Sequence, residues 1–343
     1  MMKKAIYLIL SAFGIGYHAY AQSPEISLRE FASGQIKKGV RSIGMGGDGA
    51  TWGNYALVWR DSSTALLDVG NTRYTNGNNF GFDAVGVTTP SLWHGMTVYA
   101  IALSQNANDV SASLRSPGLG PVSVPTHGDG NDQALFVKAA LPLNKQFSFG
   151  VLLSYERSQY DAAADNTPGG FVRYQTNWLP SGGFGLTYQP TARFLFGFRA
   201  LFNQDMEKRI DNTSSVEGLA ASQEYRLGAS VGLWKDALID IGGNYRSKQN
   251  HIAGTSSSQV KPNVGFEQNL WDRHFALRAG VDETSGTGGF TLKFQPVSID
   301  VAYVNNIGIA RVGNLFGESS NSLIATVIFN YGYFMSKRHS TVN

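Results

Sequence analysis

A regular alternation of apolar and polar residues runs through most of this chain from Phe80 onward. Its two-residue period is that of β-strands whose two faces meet different surroundings. Segment 145–157 is typical. One face carries Phe147, Phe149, Val151, Leu153 and Tyr155, and the other carries Ser148, Gly150, Leu152, Ser154 and Glu156. Comparable patterns occupy 192–203, 238–247, 274–281 and 290–303, so the sequence predicts an all-β protein.

Strand length and connection length favour a transmembrane β-barrel over a soluble β-sandwich. The alternating segments run about ten residues, the length of a tilted transmembrane strand, whereas soluble strands usually have about 5–6. Short connections near 92–95, 142–145, 189–192, 234–236, 269–274 and 295–298 alternate with long polar segments, predicted as loops, at 106–131, 158–170, 204–221, 249–259 and 305–321. Outer-membrane barrels have short periplasmic turns and long external loops.

The strand count follows from the hairpins. Six hairpins between Phe80 and Asn305 supply twelve strands, and a last strand places Leu323, Val327 and Phe329 on one face. Because bacterial single-chain barrels have an even number of strands, one more is expected within Ser63–Thr75. We predict a transmembrane antiparallel β-barrel of about 14 strands, with about 12 as the alternative.

Composition excludes several other classes of protein. The 343 residues include 40 Gly, 12% aromatic and only 15% charged residues, with a net charge of +3 and no Cys. Scarce charge with many aromatics argues against intrinsic disorder, and the small net charge without a Lys/Arg stripe argues against a nucleic-acid partner. The absence of Cys excludes disulfides, thiolate metal sites and cysteine catalysis.

The N-terminus predicts export. Lys3 and Lys4 precede an apolar run at 5–16, and Ala19-Tyr20-Ala21 has the small-x-small pattern of a cleavage site. These features define a signal peptide over residues 1–21. Together with the predicted barrel, they indicate the outer membrane of a Gram-negative cell envelope.

A glycine-rich segment, GVRSIGMGGDGA at 39–50, precedes the barrel. Gly44, Gly46 and Gly49 match G-x-G-x-x-G, but the strand, helix and βαβ context that a dinucleotide site requires is missing. Glycines also let a backbone fold tightly in a confined space. We therefore predict an N-terminal luminal hatch over 22–62, a barrel over 63–334 and a C-terminal tail over 335–343.

The same segment carries a family resemblance. The pattern G-x-R-x-x-G-M-G-G at 39–47 resembles the N-terminal region of the FadL-type outer-membrane transporters, including the PorV/PorQ-like barrels of type IX secretion. The resemblance implies a hatch inside the barrel, with Arg41, Gly44, Gly46 and Gly47 on the hatch motif. The N-P-A-G-L that usually follows is replaced by ALVWRDSSTAL at 56–66.

The resemblance also implies a function. We expect an outer-membrane barrel that passes small hydrophobic or amphipathic, fatty-acid-like molecules across the outer membrane. The alternative is a PorV/PorQ-like interaction barrel that serves protein secretion or envelope assembly. The expected partners are outer-membrane lipid and a hydrophobic small molecule or, on the alternative, an envelope protein.

Charged residues on the predicted inward faces have both signs. They are Glu156, Arg193, Arg199, Asp240, Arg246, Arg278, Lys293 and Asp300. Ladders of opposite charge commonly fill a barrel lumen as structure. The functional alternative is a head-group site, for which Arg199, Arg246 and Arg278 are predicted as ligand-binding residues because a guanidinium pairs well with a carboxylate.

No pattern predicts an enzyme. His94, His127, His251 and His274 do not share a strand face with a Ser and an acid at a spacing that suggests a triad. The acids in the predicted loops, Asp109, Asp129, Asp132, Asp161 and Asp165, lack the regular spacing of a Ca²⁺ site. We expect no catalytic residue, no metal and no cofactor.

Overall fold

The computed structural model describes residues 40–46, 50–57, 64–74, 79–89, 95–115, 123–164, 170–176, 178–211, 215–250, 255–282, 285–306 and 320–330. Within these ranges, no helix is long and apolar enough to cross a membrane. The predicted signal peptide and C-terminal tail lie outside the described residues.

Among the residues that the structure describes, there are one short helix and fifteen β-segments. The helix is α1 (Val40–Gly44). The segments are β1 (Thr64–Tyr74), β2 (Asn79–Thr88), β3 (Thr97–Arg115), β4 (Ser123–Pro142), β5 (Phe147–Ala164), β6 (Phe171–Thr176), β7 (Leu179–Thr191), β8 (Phe194–Asp211), β9 (Ser215–Trp234), β10 (Ala237–Asn250), β11 (Thr255–Leu270), β12 (Phe275–Asp282), β13 (Ser285–Phe294), β14 (Val297–Asn306) and β15 (Ser320–Asn330).

The sheet closes on itself. Sequence neighbours pair antiparallel, and β15 pairs with both β14 and β1. β6 and β7 share one position in the wall, because each pairs with β5 on one side and β8 on the other. The fifteen segments therefore form a closed barrel of 14 strands. The predicted fold is confirmed, and the additional strand expected within Ser63–Thr75 is β1.

A β-bulge separates β6 from β7. Gln175 pairs with Gln159 and Leu179 pairs with Glu156, so the two pairs are four positions apart along β6–β7 but only three apart along β5. One extra residue reverses which side chains face outward. Odd-numbered residues such as Arg173 are exposed on β6, whereas the even-numbered Trp178 and Leu186 are exposed just before and within β7.

Burial is inverted relative to a soluble protein. The side chains of Leu153, Leu227 and Val260 are 63%, 66% and 65% exposed, whereas Arg199 and Glu267 are each only 1% exposed. Soluble proteins almost never bury charged residues while exposing a continuous apolar surface. The apolar outward faces of the strands therefore form the surface for lipid, and the buried charged side chains lie in the interior.

The predicted long loops at 106–131, 204–221 and 249–259 are wrong, whereas most of the one at 305–321 lies outside the described residues. β8 ends at Asp211 and β9 begins at Ser215, so most of 204–221 is strand. The β3–β4 and β10–β11 hairpins likewise extend through most of 106–131 and 249–259. The residues of these extensions are mostly polar, so the alternation in the sequence disappears although the hydrogen-bonded ladder continues. By analogy with outer-membrane barrels, we call this the external end and the end with short turns the periplasmic end.

The exposed apolar face of β5 gives a test of the membrane position. We expect Val151→Arg to lower the free energy of unfolding by about 2–4 kcal/mol, because Val151 is exposed in the middle of the lipid-facing stretch Phe147–Tyr155 and the arginine places a charge there. Ser258→Arg is the control, since Ser258 is exposed on β11 beyond Val260, and its expected cost is about 0–1 kcal/mol. Urea unfolding in lipid vesicles measures both, and equal losses would contradict the assignment.

Candidate ligand site in the barrel lumen

Residues 40–46 and 50–57, here called the lumenal segment, lie against the inner wall. Helix α1 packs on β13 and β14. Farther along, Met45 lies against the inward Gly265 and Gly280, and Ala50 lies against Gly197. The segment therefore follows the wall from β14 toward β5, within the predicted hatch.

Two glycines of the predicted hatch motif are in close contact with the wall. Gly46 has a φ of +65°, and a Cβ there would lie 2.7 Å from the Val281 backbone nitrogen. Only glycine accepts both that conformation and that approach without strain. A Cβ on Gly44 would lie 3.4 Å from Gly289 Cα, and the Gly44 carbonyl accepts a 3.2 Å hydrogen bond from Thr287 Oγ1. Gly47 lies outside the described residues.

An ion-pair cluster joins the segment to β11, β12 and β14. Arg41 donates from Nε to Glu267 Oε2 at 2.8 Å, and from Nη2 to Oε1 at 2.5 Å. Arg278 Nε donates to the same Oε2 at 2.7 Å, and its Nη1 lies 3.5 Å from Asp300 Oδ1. The Arg41 guanidinium also sits 3.7 Å from the centre of the Trp52 ring. Glu267 thus bridges one arginine of the segment and one of the wall.

Further polar contacts hold the second half of the segment. Thr51 Oγ1 donates to Asp240 Oδ1 at 2.6 Å, and Trp52 Nε1 donates to Ser230 Oγ at 3.1 Å. Asn54 Nδ2 donates to the wall carbonyl of Phe198 at 2.9 Å. These bonds satisfy buried polar groups that would otherwise be costly.

The three predicted ligand arginines all face the lumen but do not form one site. Arg199 on β8 donates to the Gly53 carbonyl at 3.1 Å and lies 4.7 Å from the centre of the Tyr55 ring. Arg278 belongs to the cluster with Glu267. Arg246 on β10 is half-buried and stands in register with Glu224 of β9. The contacts of Arg199 and Arg278 are structural, and ligand binding by the three arginines stays a prediction.

Part of the inner face of the barrel is an apolar wall that the sequence patterns did not predict. It consists of buried residues on β2, β3, β4, β5, β8, β14 and β15, with Leu66 of β1 packed against them: Phe82, Ala84, Ile101, Leu103, Ala134, Phe136, Leu152, Leu201, Ala302 and Ile324. Ile43 and Tyr55 of the lumenal segment belong to the same cluster. The available signal was the near-continuous apolar runs VYAIAL at 98–103 and ALFVKAAL at 134–141, which are typical of strands with two apolar faces.

No protein-family model and no curated protein matches the chain. Solved structures do match across most of its length. A deltaS2S3 mutant of the monoaromatic hydrocarbon channel TodX is 11% identical over 85% of this chain and 99% of that chain, with a TM-score of 0.57. The monoaromatic hydrocarbon channel CymD is 14% identical over 86% of this chain and 98% of that chain, with a TM-score of 0.56. A Pseudomonas aeruginosa FadL homologue is 12% identical over 86% of this chain and 98% of that chain, with a TM-score of 0.55. The chain has the FadL-type outer-membrane transporter fold.

The resemblance predicted from the glycine-rich motif is therefore confirmed for the fold. In this FadL-type barrel, the lumenal segment contacts both halves of the interior. Arg41, Thr51 and Trp52 bond to the polar wall on β9–β11, and Ile43 and Tyr55 pack in the apolar cluster. Movement of the segment would therefore change both surfaces at once.

The Arg41–Glu267 pair can be tested without exposing a buried charge, because Glu267 keeps Arg278 as a partner. We expect Arg41→Met to speed amide hydrogen exchange in residues 50–57 by about tenfold, the effect of losing charge-assisted hydrogen bonds. Exchange in the strands should not change. Arg273→Met is the control, because Arg273 pairs with Asp236 at 3.5 Å in an exposed turn. Unaltered exchange in 50–57 would show that this pair does not hold the segment.

Proposed function

We propose that this barrel passes small hydrophobic or amphipathic molecules, including fatty-acid-like ones, across the outer membrane of a Gram-negative envelope. The supporting observation is the apolar inner wall, which reaches from β14 through β1 to β5. TodX and CymD, which share the fold, are monoaromatic hydrocarbon channels. On this proposal the protein is a passive conduit and not an enzyme.

The two-sided lumen favours hydrophobic cargo over a general diffusion pore. Glu224, Arg226, Glu267 and Arg278 lie on the opposite side, on β9, β11 and β12. Apolar surface costs about 25 cal/mol per Å² when water covers it. A water-filled pore would therefore pay this cost along the apolar wall, whereas a hydrophobic molecule would be stabilised there.

The lumenal segment is proposed as the hatch of this path. Ile43 and Tyr55 pack against the apolar wall, so a molecule that follows the wall meets them before it reaches the periplasmic end. The glycine contacts and the Arg41–Glu267 pair would fix the closed position. Passage would then require the segment to shift within the lumen.

Lys138 is the proposed contact for an acidic head group. It faces the lumen on β4, between the buried Phe136 and Ala140, and its Nζ lies 5.5 Å from the centre of the Tyr99 ring. Among the described residues, no carboxylate forms an ion pair with it. A cation in apolar surroundings is stabilised by an anionic partner, and the carboxylate of an amphipathic acid would supply one.

Passage along the apolar wall predicts sensitivity to polar substitutions there. Leu103→Gln and Phe136→Gln should each slow uptake of dodecanoate into vesicles containing the barrel by about tenfold, because the ligand must desolvate an amide group. Lys261→Gln is the control, since Lys261 is on the inward face of β11 opposite that wall. Folding of each variant is verified by its heat-dependent shift in electrophoresis. Equal uptake by all variants would contradict the proposed path.

Head-group recognition is tested with a matched pair of ligands. Lys138→Met should weaken binding of dodecanoate by about tenfold while leaving methyl dodecanoate unchanged, because only the acid forms a charge-assisted contact. If both ligands bind the variant as they bind the original protein, Lys138 is not the head-group contact. If neither binds the folded original protein, the proposed function fails.

The interaction-barrel alternative predicts different companions after purification. Mass spectrometry of the protein in mild detergent should detect hydrophobic small molecules if the proposal holds. Consistent recovery of envelope proteins without such molecules would favour the PorV/PorQ-like role.

A further inference from the structure

The outward face of β5 changes character at Tyr155. Val151, Leu153 and Tyr155 are exposed in the lipid-facing band, and the next outward residue, Arg157, is exposed as well. The Tyr155 ring stacks on Trp178, with centroids 5.3 Å apart and an interplanar angle of 14°. Tyr and Trp mark the boundary between hydrocarbon and head groups in outer-membrane barrels. Arg157 therefore stands at head-group level on the external side.

The bulge between β6 and β7 produces this arrangement. Arg173 and Trp178 are five positions apart, which would place them on opposite faces of a regular strand. Because of the extra position between Gln175 and Leu179, both side chains face outward. The Trp178 indole therefore lies beside Tyr155 at the edge of the lipid-facing band. Strand β6, which carries Arg173, lies farther toward the external end.

Arg157 is surrounded by carboxamides. Its Nη2 donates to Gln159 Oε1 at 3.2 Å, and Gln133 of β4 stands directly opposite in register. Gln175 of β6 is opposite Gln159. Among the described residues Arg157 forms no ion pair, so its guanidinium and the neighbouring amides provide donors for an anion.

The acids of this surface lie farther from the membrane. Asp161 accepts from Arg173 Nε at 2.5 Å and from Gln159 Nε2 at 2.6 Å, and Asp129 stands beside it in register. Both are four positions beyond the level of Arg157 and Gln133 along their strands. Charge is therefore layered, with a cation next to the lipid and the acids above it.

Among the described side chains, this layering occurs on one side of the barrel. The described outward residues at the external edge of the apolar band on other strands include one acid, Asp83 of β2, and are otherwise mostly neutral: Asn71, Asn106, Gln223, Ser258, Asn305 and Asn321. Among the described side chains, the outward cations of the external end are Arg157 and Arg173, on adjacent strands. The exposed Leu135 and Leu153 below them provide apolar surface for acyl chains.

We propose that Arg157 binds the phosphate group of an outer-leaflet lipid whose acyl chains cover Leu135 and Leu153. A guanidinium forms paired hydrogen bonds with phosphate oxygens. The Gln133 amide, directly opposite Arg157, adds a neutral donor, and the Tyr155–Trp178 pair sets the depth of the lipid. This site is on the outer surface and is independent of the path through the lumen.

The test measures lipid retention in nanodiscs of phosphatidylcholine containing a minority of phosphatidic acid. Native mass spectrometry should show that the protein retains phosphatidic acid in preference to phosphatidylcholine. Arg157→Gln should lower that preference by about fivefold, the effect of removing one cation near a membrane surface. Arg157→Lys should retain part of it, because the charge remains and the paired geometry is lost.

Arg193→Gln is the matched control, since Arg193 is exposed in the β7–β8 turn at the periplasmic end. It should retain phosphatidic acid as the original protein does, and all variants are first checked for folding by electrophoresis with and without heating. An unchanged preference in Arg157→Gln would overturn the proposal. So would displacement of the retained lipid by inorganic phosphate at equal concentration, which would show a site for the free anion.

Discussion

The structure depends on the pairing of backbone amides where water is absent. Hydrocarbon provides no hydrogen-bond partner for a peptide group, so a strand that crosses it must be paired on both sides. The chain meets this condition when β15 joins β1. Once the ring is closed, apolar side chains face outward without penalty, and the charged residues that lipid excludes are gathered in the interior.

Two kinds of contact hold the lumenal segment in the interior of the barrel. Glu267 holds arginines from two directions, and Thr51, Trp52 and Asn54 place further polar bonds on the wall. On the apolar half, the residues pack through van der Waals contacts, which do not require a particular direction. A segment anchored by directional bonds on one side and by non-directional packing on the other has a defined resting position beside a surface that accepts varied apolar shapes.

The strands and turns that depend on local residue patterns could be predicted from the sequence. Alternation from Phe147 to Glu156 indicated a strand with a lipid-facing side, and the turn near Trp234 was placed within a residue or two of its observed position. The external strand extensions were missed because both faces are polar there. The inner wall was missed because Tyr99–Leu103 is apolar on both faces. The Arg41–Glu267 pair joins residues 226 positions apart, so it depends on barrel closure and register, which no local pattern contains.

The close contacts between the wall and the lumenal segment join glycines of the wall to the main chain of the segment. At Gly150, Gly197 and Gly280, the atoms nearest to an added Cβ belong to the main chain of Tyr55, Ala50 and Met45. At these three positions the wall therefore contacts the main chain of the segment, while the Tyr55 side chain packs in the apolar cluster. The distance between the segment and the barrel is set by the absence of side chains on the wall, so even one methyl group added there would displace the segment.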